Sequence, residues 1–507
     1  MTDALLMIDL KQPRLTPDER AFLGERRVGG VCLFARNVED RVQLGELTAE
    51  LRALLGPDVL IAVDQEGGAV VRVRDVPYPP SMMALGAADD LGLTRKMGAM
   101  SARGLRAVGV NVNFAPVADV NHNPRNPVIA ERAFGGDPEA VARHVAAFVA
   151  GHQEAGVGAV VKHFPGHGDT DLDSHLELPH LAADAARLER LELPPFRRAV
   201  AAGVAGVMSA HIVLPALDPA LPATLSRAVL TGLLRERLGF DGVIFTDALD
   251  MRAIAASFAP AEAALRAVAA GADMALYLGP LKEHEAILRR LEAGLASGEL
   301  DPEAVARARA RLRALARRFP VAPAPEAAWE VGDEARLEAA AFRGTVALGE
   351  LPKLEPGARV TLVAAAAVAA GGASSAVRAP AEALAAALEG AGVRVTRAFY
   401  ARGAEGASVL GALAGAELVL FASTSRTRME GAELALARAV ARAVRPPQRF
   451  VHVALWNPYH ALDLPGPALL TFGFRGPSAR AAARALLEGG APGRLPVALE
   501  VARGPYA

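Results

Sequence analysis

The stretch Lys162-His163-Phe164-Pro165-Gly166-His167-Gly168-Asp169-Thr170-Asp171-Leu172-Asp173-Ser174-His175 decides how the rest of the chain is interpreted. The apolar run 156–161 precedes it and predicts a buried strand that ends in Lys162 and His163. The glycines and proline that follow predict a loop. One lysine, three histidines and three aspartates lie within these 14 residues. Because such groups destabilise a fold unless they are paired or used, we interpret the loop as part of an active site.

Outward from this loop, the first 320 residues alternate between apolar runs and helical patterns. The runs that predict strands are 5–8, 30–34, 59–63, 110–114, 159–161, 206–208, 243–245 and 274–278. The helical patterns between them include 39–55, 93–108, 138–155, 184–202 (interrupted at Pro194-Pro195) and 260–270. Eight strands separated by helices predict parallel β/α units, and eight is the number that closes a (β/α)8 barrel of the TIM type.

A second α/β pattern follows the first. A helical pattern at 302–318 leads into the proline-rich stretch 320–325, which predicts a semi-rigid linker. Later strand patterns lie at 346–348, 360–363, 393–395, 418–421, 450–455 and 469–472, with helical patterns at 379–390 and 431–444. We therefore expect a catalytic barrel over residues 1–320, a linker over 321–339 and an α/β/α sandwich domain over 340–507.

Composition excludes several classes of partner. The 507 residues suit two domains, and 55 Lys and Arg against 56 Asp and Glu leave no basic surplus for nucleic acid or an anionic membrane. No apolar window approaches the roughly 18 residues of a membrane span, and the first residues lack the basic region of a signal peptide. The single cysteine, Cys32, is expected to be a buried thiol. These features predict a cytoplasmic protein and leave its oligomeric state open.

Polar side chains follow the ends of several predicted strands. Asp64 comes after the third strand, Lys162 and His163 after the fifth, His211 after the sixth and Asp247 after the seventh. Barrel enzymes build their sites at the carboxyl ends of their strands. We therefore expect these residues to surround one mouth.

Our working hypothesis is that the loop 162–175 belongs to the active site of a glycosidase. Cleavage of a glycosidic bond with retention needs a nucleophile and a proton carrier. Asp247 suits the nucleophile, and Asp250, its nearest competitor, is expected in the following helix. Asp173 can hold the ring of His175, whose ordinary pKa suits both giving and taking a proton. His167 in the same loop, together with Asp169, is expected to be structural.

Other side chains suit the binding of a sugar. Lys162 and His163 can donate to hydroxyl groups, or they can pair with carboxylates of the barrel. Asp64 can accept from two adjacent hydroxyls, because an ionised carboxylate only accepts hydrogen bonds. Arg132 offers a fork of donors, with a surface salt bridge as the alternative, and His211 can line the mouth.

The sequence does not favour a cofactor or a metal. It contains no Gly-x-Gly-x-x-Gly after a strand and no Walker-type loop. His163 and His167 are four residues apart, but Pro165 and Gly166 prevent the helix that would place them on one face. We expect neither a cofactor nor a bound metal.

Several motifs together resemble family 3 of the glycoside hydrolases, in its β-N-acetylglucosaminidase branch. They are Val63-Asp-Gln-Glu-Gly-Gly68, Lys162-His-Phe-Pro-Gly-His-Gly168, Asp173-Ser-His175 and Phe245-Thr-Asp-Ala-Leu249. The second half, including Gly493-Arg-Leu-Pro-Val497, is similar to that of the family's two-domain members.

The resemblance implies a (β/α)8 barrel and a retaining double displacement. It implies that Asp247 is the nucleophile and that Asp173 and His175 form the acid/base dyad. It further implies that the N-acetylglucosamine subsite contains Asp64, Arg132, Lys162 and His163.

Several functions remain open at this point. The first is an exo-acting β-N-acetylglucosaminidase that acts on carbohydrate fragments of peptidoglycan. A phosphorylase is the second, because a neutral His175 would not repel an attacking phosphate. The others are a β-glucosidase or xylosidase of the same family, and a barrel that only binds sugar. Arg426 follows a predicted strand and can face the barrel, although we expect a surface or helix-capping role for its segment.

Overall fold

A parallel eight-stranded barrel forms the first half of the chain. The computed structural model describes residues 2–174, 177–368, 377–401 and 407–499. The barrel strands are β1 (Leu6–Asp9), β2 (Gly30–Leu33), β3 (Leu60–Val63), β4 (Val112–Asn113), β5 (Gly158–Phe164), β6 (Gly206–Ser209), β7 (Val243–Phe245) and β8 (Ala275–Tyr277). Each strand pairs with the next, β8 also pairs with β1, and a bridge between Phe245 and Met274 joins β7 to β8. The predicted barrel is confirmed.

The barrel strands other than β4 form where the sequence is continuously apolar; in the run 110–114, Asn111 and Asn113 alternate with apolar residues. Parallel strands that are covered on both faces need apolar residues in succession rather than in alternation. Each predicted run lies within three residues of the strand that the structure has. Cys32, on β2, is fully buried as expected, and this burial raises the pKa of its thiol well above the ordinary value.

Helices surround the barrel strands. They are α1 (Pro17–Glu25), α2 (Arg41–Leu55), α3 (Met82–Ala88), α4 (Leu91–Ala107), α5 (Pro138–Glu154), α6 (Ala185–Arg190), α7 (Leu193–Ala201), a π-type helix (Ala228–Arg237), α8 (Arg252–Ala255), α9 (Pro260–Ala270), α10 (Leu281–Ser297) and α11 (Pro302–Arg318). The break near Pro194-Pro195 falls before these prolines, because proline is tolerated in the first turn of α7. No helix of the described ranges is long and apolar enough to cross a membrane.

A six-stranded sheet forms the core of the second half. Its strands are β9 (Val346–Leu348), β10 (Arg359–Ala365), β11 (Arg394–Tyr400), β12 (Leu418–Ser423), β13 (Arg449–Ala454) and β14 (Ala468–Leu470). Their order is β9-β14-β13-β12-β10-β11, and only β9 pairs in the antiparallel sense. The accompanying helices are α12 (Asp333–Arg343), α13 (Glu382–Gly390), α14 (Ala407–Gly411), α15 (Gly431–Ala443) and α16 (Gly476–Glu488).

Helices cover both faces of this second sheet. On β10, Leu362 packs in one apolar cluster with residues of α13 and α16. The next residue, Val363, points to the other face and packs with residues of α14 and α15. The predicted α/β/α sandwich is therefore confirmed.

The proline-rich segment lies against the barrel and is not a free spacer. The Ala324 amide donates to the Ala107 carbonyl at 2.7 Å, and the Trp329 indole donates to the Asp75 carbonyl at 3.1 Å. Helix α12 then contacts both α3 of the barrel and α16 of the sandwich. We propose the division into 1–320, 321–339 and 340–507, with the linker packed onto the first domain.

Candidate active site

The candidate residues lie at the carboxyl ends of the barrel strands. Asp64 directly follows β3, Lys162 and His163 are near the end of β5, and His211 and Asp247 each lie two residues beyond a strand. Two further candidates lie on loops at the same end. Arg132 ends a short 3₁₀ helix (Ala130–Arg132) after β4, and Asp173 lies on the loop after β5. His175, the proposed proton carrier, lies outside the described residues.

Lys162 is a buried cation between two carboxylates. Its Nζ lies 2.6 Å from Asp64 Oδ1 and 2.7 Å from Glu66 Oε1. Burial alone would lower the pKa of Lys162, but the charges of Asp64 and Glu66 outweigh it and hold the pKa above the ordinary value. Lys162 is therefore a fixed positive charge at the mouth.

Arg132 also pairs with Glu66, and the pair is buried. Its Nε and Nη2 each lie 2.8 Å from a different oxygen of Glu66. Burial opposes the charged form of Glu66, yet Arg132 and Lys162 hold the pKa of this carboxyl far below its usual range. A bidentate pair fixes the plane of the guanidinium. The alternative of a surface salt bridge for Arg132 is wrong.

Asp119 orients His163. One oxygen of Asp119 lies 2.7 Å from His163 Nδ1, and the other accepts from the backbone amides of His163 and His167. Burial would raise the pKa of Asp119, but these histidines hold it below the ordinary value. The second ring nitrogen of His163 faces Arg132 Nη2 at 3.4 Å. Four predicted sugar-binding residues are thus joined in one network through Glu66 and Asp119.

Asp247 and His211 lie beyond the ends of two neighbouring strands, β7 and β6. Asp247 is partly exposed, and its Oδ1 accepts from the Ala248 amide at 2.8 Å. His211 is fully buried, with Nδ1 at 2.8 Å from Thr224 Oγ1 and Nε2 at 2.8 Å from the Ala248 carbonyl. His211 therefore holds the backbone beside Asp247.

Asp250 lies in a turn before α8, so its predicted position in a helix is wrong. Its Oδ1 accepts from the Leu278 amide at 3.1 Å, which ties the turn to the end of β8. Burial raises the pKa of Asp250 to about 6. This carboxylate thus already has a structural partner.

Hydrogen bonds within the β5 loop fix its shape. The ring of His167 is buried, with Nδ1 at 2.7 Å from Thr170 Oγ1 and Nε2 at 3.0 Å from Ser174 Oγ. Asp169 pairs with His122 at 3.0 Å and with Arg187. The predicted structural role of His167 and Asp169 is confirmed.

Asp173 pairs with a residue of the second domain. Its side chain is buried, and Oδ2 lies 2.9 Å from Nη1 of Arg426. Arg426 lies three residues beyond β12, so the carboxyl edge of the second sheet faces the barrel loop here. The expected surface or helix-capping role of Arg426 is wrong, and the alternative that its segment faces the barrel is the one that the structure has. Within the described ranges, no group of three His, Cys, Asp or Glu side chains is arranged to hold a metal ion.

The barrel sequence matches a known family. The family model described as the glycosyl hydrolase family 3 N-terminal domain matches residues 3–315, more than half of the chain. The chain belongs to glycosyl hydrolase family 3.

The chain is also similar to two kinds of protein, β-hexosaminidases known from their sequences and a β-N-acetylglucosaminidase of known structure. A β-hexosaminidase of Nitrosomonas eutropha is 41% identical over 294 residues, which are 57% of this chain and 84% of that protein. A β-hexosaminidase of Pseudomonas aeruginosa is 42% identical over 294 residues, with 57% and 86% covered. The family 3 β-N-acetylglucosaminidase structure from Paenibacillus sp. strain FPU-7 is 33% identical, with a TM-score of 0.90, over 99% of this chain and 98% of that one.

Three residues of this candidate site, Glu66, Asp119 and Arg426, were not among the site residues predicted from the sequence. Glu66 lies in the same motif as Asp64, but only Asp64 was predicted to bind the sugar. Asp119 lies six residues beyond β4, too far for a strand-end pattern to indicate it. Arg426 belongs to the other domain, and only the packing of the two domains brings it to Asp173.

Proposed function

We propose that this family 3 member is a retaining exo-β-N-acetylglucosaminidase that releases terminal β-linked N-acetylglucosamine. The observation that carries the proposal is the buried network of Asp64, Glu66, Arg132 and Lys162 at the mouth that also contains Asp247. Its charges are paired within the protein, so the groups are already in position to meet the hydroxyls of a sugar. The likeness to a β-N-acetylglucosaminidase over the whole chain supports the choice of sugar.

In the first step, the Asp247 carboxylate attacks the anomeric carbon and the bond to the leaving oxygen breaks. His175, oriented by Asp173, gives that oxygen a proton. In the second step, His175 takes a proton from water as the water oxygen attacks the same carbon. The bond to Asp247 then breaks, and the sugar leaves with its original configuration.

The remaining candidates hold the sugar and the nucleophile. We assign Asp64, Arg132, Lys162 and His163 to the N-acetylglucosamine subsite, as donors and acceptors for its hydroxyl and acetamido groups. His211 is buried and both ring nitrogens have protein partners. We therefore assign it to positioning Asp247 rather than to contact with the sugar.

A trapped intermediate tests the nucleophile. The enzyme is incubated with a 2-deoxy-2-fluoro glycoside that has a good leaving group, and its peptides are then mapped by mass. We expect one covalent adduct, on Asp247. An adduct on another residue would contradict the assignment. If the enzyme cleaves N-acetyl-β-glucosaminides but the reagent neither inactivates it nor leaves an adduct, attack by the substrate's own acetamido oxygen would be favoured, because the fluoro sugar lacks that group.

A panel of aryl glycosides tests the sugar and the acceptor. We expect the N-acetyl-β-glucosaminide to react best, ahead of the β-glucoside and the β-xyloside. Each reaction is repeated at saturating phosphate, because a phosphorylase would release N-acetylglucosamine 1-phosphate in place of the free sugar. Release of the free sugar with and without phosphate supports a hydrolase. Release of the phosphate ester would show that the enzyme is a phosphorylase instead.

We also propose a cytoplasmic location and peptidoglycan fragments as the natural substrate. A chain with one cysteine has no internal disulfide, which suits a reducing compartment. Fractionation of the source cells should place the enzyme in the cytoplasmic fraction. Purified muropeptides that carry a terminal N-acetylglucosamine should lose that sugar, and intact muropeptides after incubation would contradict the substrate.

A further inference from the structure

We propose that Arg426 of the second domain is a positioning residue that holds Asp173 of the acid/base pair in place. Through this contact, proton transfer in the barrel depends on the second domain. The inference rests on the proposed role of Asp173 and His175. It goes beyond that role because it gives the second domain a part in the reaction.

The contact itself is short and sheltered. Arg426 Nη1 lies 2.9 Å from Asp173 Oδ2, the Asp173 side chain is 4% exposed and that of Arg426 is 22% exposed. A charge-assisted hydrogen bond in such a place competes little with water. Elsewhere on the same loop, Arg125 pairs with Asp171 at 3.2 Å, but those side chains are 78% and 57% exposed. An exposed pair of this kind contributes little to position.

The backbone around Arg426 is fastened within the second domain. Asn457 Nδ2 donates to the Arg426 carbonyl at 2.6 Å. The next carbonyl, of Thr427, lies 2.7 Å from Nε2 of the buried His460. Arg428 then pairs with Asp463 through Nε at 2.9 Å. Three consecutive residues are thus held, so the guanidinium of Arg426 starts from a fixed backbone.

The second domain is also fixed to the barrel near this point. Asn121 Nδ2 donates to the Tyr459 hydroxyl at 2.9 Å, and both side chains are buried. Arg475 donates to the carbonyls of Gly68 and Ala69 at 2.9 and 3.1 Å, beside the motif that supplies Asp64. The docking of the two domains therefore sets where Arg426 meets Asp173.

This arrangement predicts a defect that depends on the leaving group. A leaving oxygen of high pKa needs a proton as it departs, whereas an activated phenolate leaves without one. If Arg426 positions the acid/base pair, its loss should slow the first class of substrate and spare the second. A merely structural role would reduce both classes equally, through loss of folded enzyme.

The test compares Arg426→Gln with the parent on chitobiose and on 2,4-dinitrophenyl N-acetyl-β-glucosaminide. We expect kcat/KM for chitobiose to fall about thirtyfold, part of the roughly 10² to 10⁴ that a general acid contributes, and that for the dinitrophenyl sugar to change less than about threefold. Arg426→Lys, which keeps the charge, should recover part of the loss. The matched control is Arg125→Gln, which should change neither substrate by more than about twofold.

Thermal unfolding of each variant separates activity from folding. Equal losses on both substrates, or no loss on chitobiose in a folded Arg426→Gln variant, would overturn the inference. If Arg426→Gln does not fold, the same comparison is made with Arg426→Lys, for which an equal loss on both substrates overturns it. Asp173→Asn isolates the underlying proposal. If this variant shows no dependence on the leaving group, the acid/base assignment has failed; if it alone shows the dependence, only the role of Arg426 has failed.

Discussion

Lys162 makes the burial of two neighbouring carboxylates possible. Asp64 and Glu66 both lie within 2.7 Å of its Nζ, and Glu66 is almost completely buried. A carboxylate in such a place is tolerated only with a cation and hydrogen bonds. The residues that we propose for the sugar subsite therefore also stabilise the barrel mouth.

Replacement of this cation should destabilise the fold. Lys162→Met removes the nearer cation from Asp64, which keeps only the longer contact of 3.8 Å with Arg72 among its ion pairs in the described residues, and one of two cations from Glu66. We therefore expect the free energy of unfolding to fall by about 3–5 kcal/mol. Lys353→Met is the matched control, because Lys353 pairs with Glu355 at 3.1 Å on the surface and should matter by less than about 1 kcal/mol. Urea unfolding measures both. Equal changes in the two variants would show that burial of the pair is unimportant.

Asp247 and Asp250 differ in what their carboxylates already do. Both are partly exposed, but Asp250 accepts from the Leu278 amide and so ties its turn to the end of β8, whereas Asp247 Oδ1 accepts from the adjacent Ala248 amide at the mouth. We expect Asp247→Asn to lower kcat by on the order of a thousandfold or more, with the unfolding midpoint almost unchanged. Asp250→Asn keeps an oxygen acceptor and should retain most of the activity. An inactive Asp250→Asn beside an active Asp247→Asn would exchange the two roles.

Among the elements, strands and helices were predictable because their signals are local. Apart from the run at β4, which contains Asn111 and Asn113, the runs that became barrel strands are apolar enough to be recognised without any partner. The helix Pro302–Arg318 has the bounds that its pattern predicts. The role of Asp119 was not predictable, because Asp119 follows β4 whereas the His163 ring that it orients belongs to β5. Parallel pairing places Val117 beside Lys162, and no pattern within either segment indicates that register.

Close packing between two loops should make one glycine of the β5 loop irreplaceable. A Cβ on Gly168 would lie 1.9 Å from the Val120 carbonyl oxygen, so Gly168→Ala must push the loop that contains Asp173 away from the β4 loop. We expect kcat/KM to fall at least about tenfold and stability to fall by about 1–3 kcal/mol. The control is Gly24→Ala in α1, where a Cβ meets nothing within 4 Å. It should be neutral or stabilise by up to about 1 kcal/mol. Steady-state kinetics and urea unfolding measure the pair, and full activity of Gly168→Ala would contradict the packing argument.

At the scale of the whole molecule, the two-domain architecture was predictable but the interface was not. Composition and the alternation of elements indicate where each domain lies. The contacts of Arg426 with Asp173 and of Tyr459 with Asn121 depend on how two folded surfaces dock, and they join residues 253 and 338 positions apart. The expectation of a surface or helix-capping role for the segment of Arg426, rather than one facing the barrel, was wrong for this reason.

Glu131 links this interface to pH. It is buried next to Arg132 in the barrel loop, and together with Trp456 and Arg426 of the second domain it lines a small cavity. Burial, with a smaller contribution from the charge of Glu66, raises the pKa of Glu131 from 4.5 to about 7. The interface thus contains an acid that is protonated in the folded protein at pH values where the unfolded chain has released the proton.

The sign of the effect on stability follows from this difference. Between about pH 4.5 and 7 the folded state binds the proton and the unfolded state does not. The contribution of Glu131 to the free energy of unfolding is therefore full below this window and is lost as pH rises through it. The shift corresponds to on the order of 3 kcal/mol.

Glu131→Gln cannot ionise, so its stability relative to the parent should rise by about that amount between pH 5 and pH 8. Urea unfolding at both pH values measures the gap, with the exposed Glu303→Gln as the control that should show no such rise. If the difference in unfolding free energy between Glu131→Gln and the parent stays constant with pH, the Glu131 carboxyl has the same pKa in the folded and unfolded states. The interface would then not keep this carboxyl protonated.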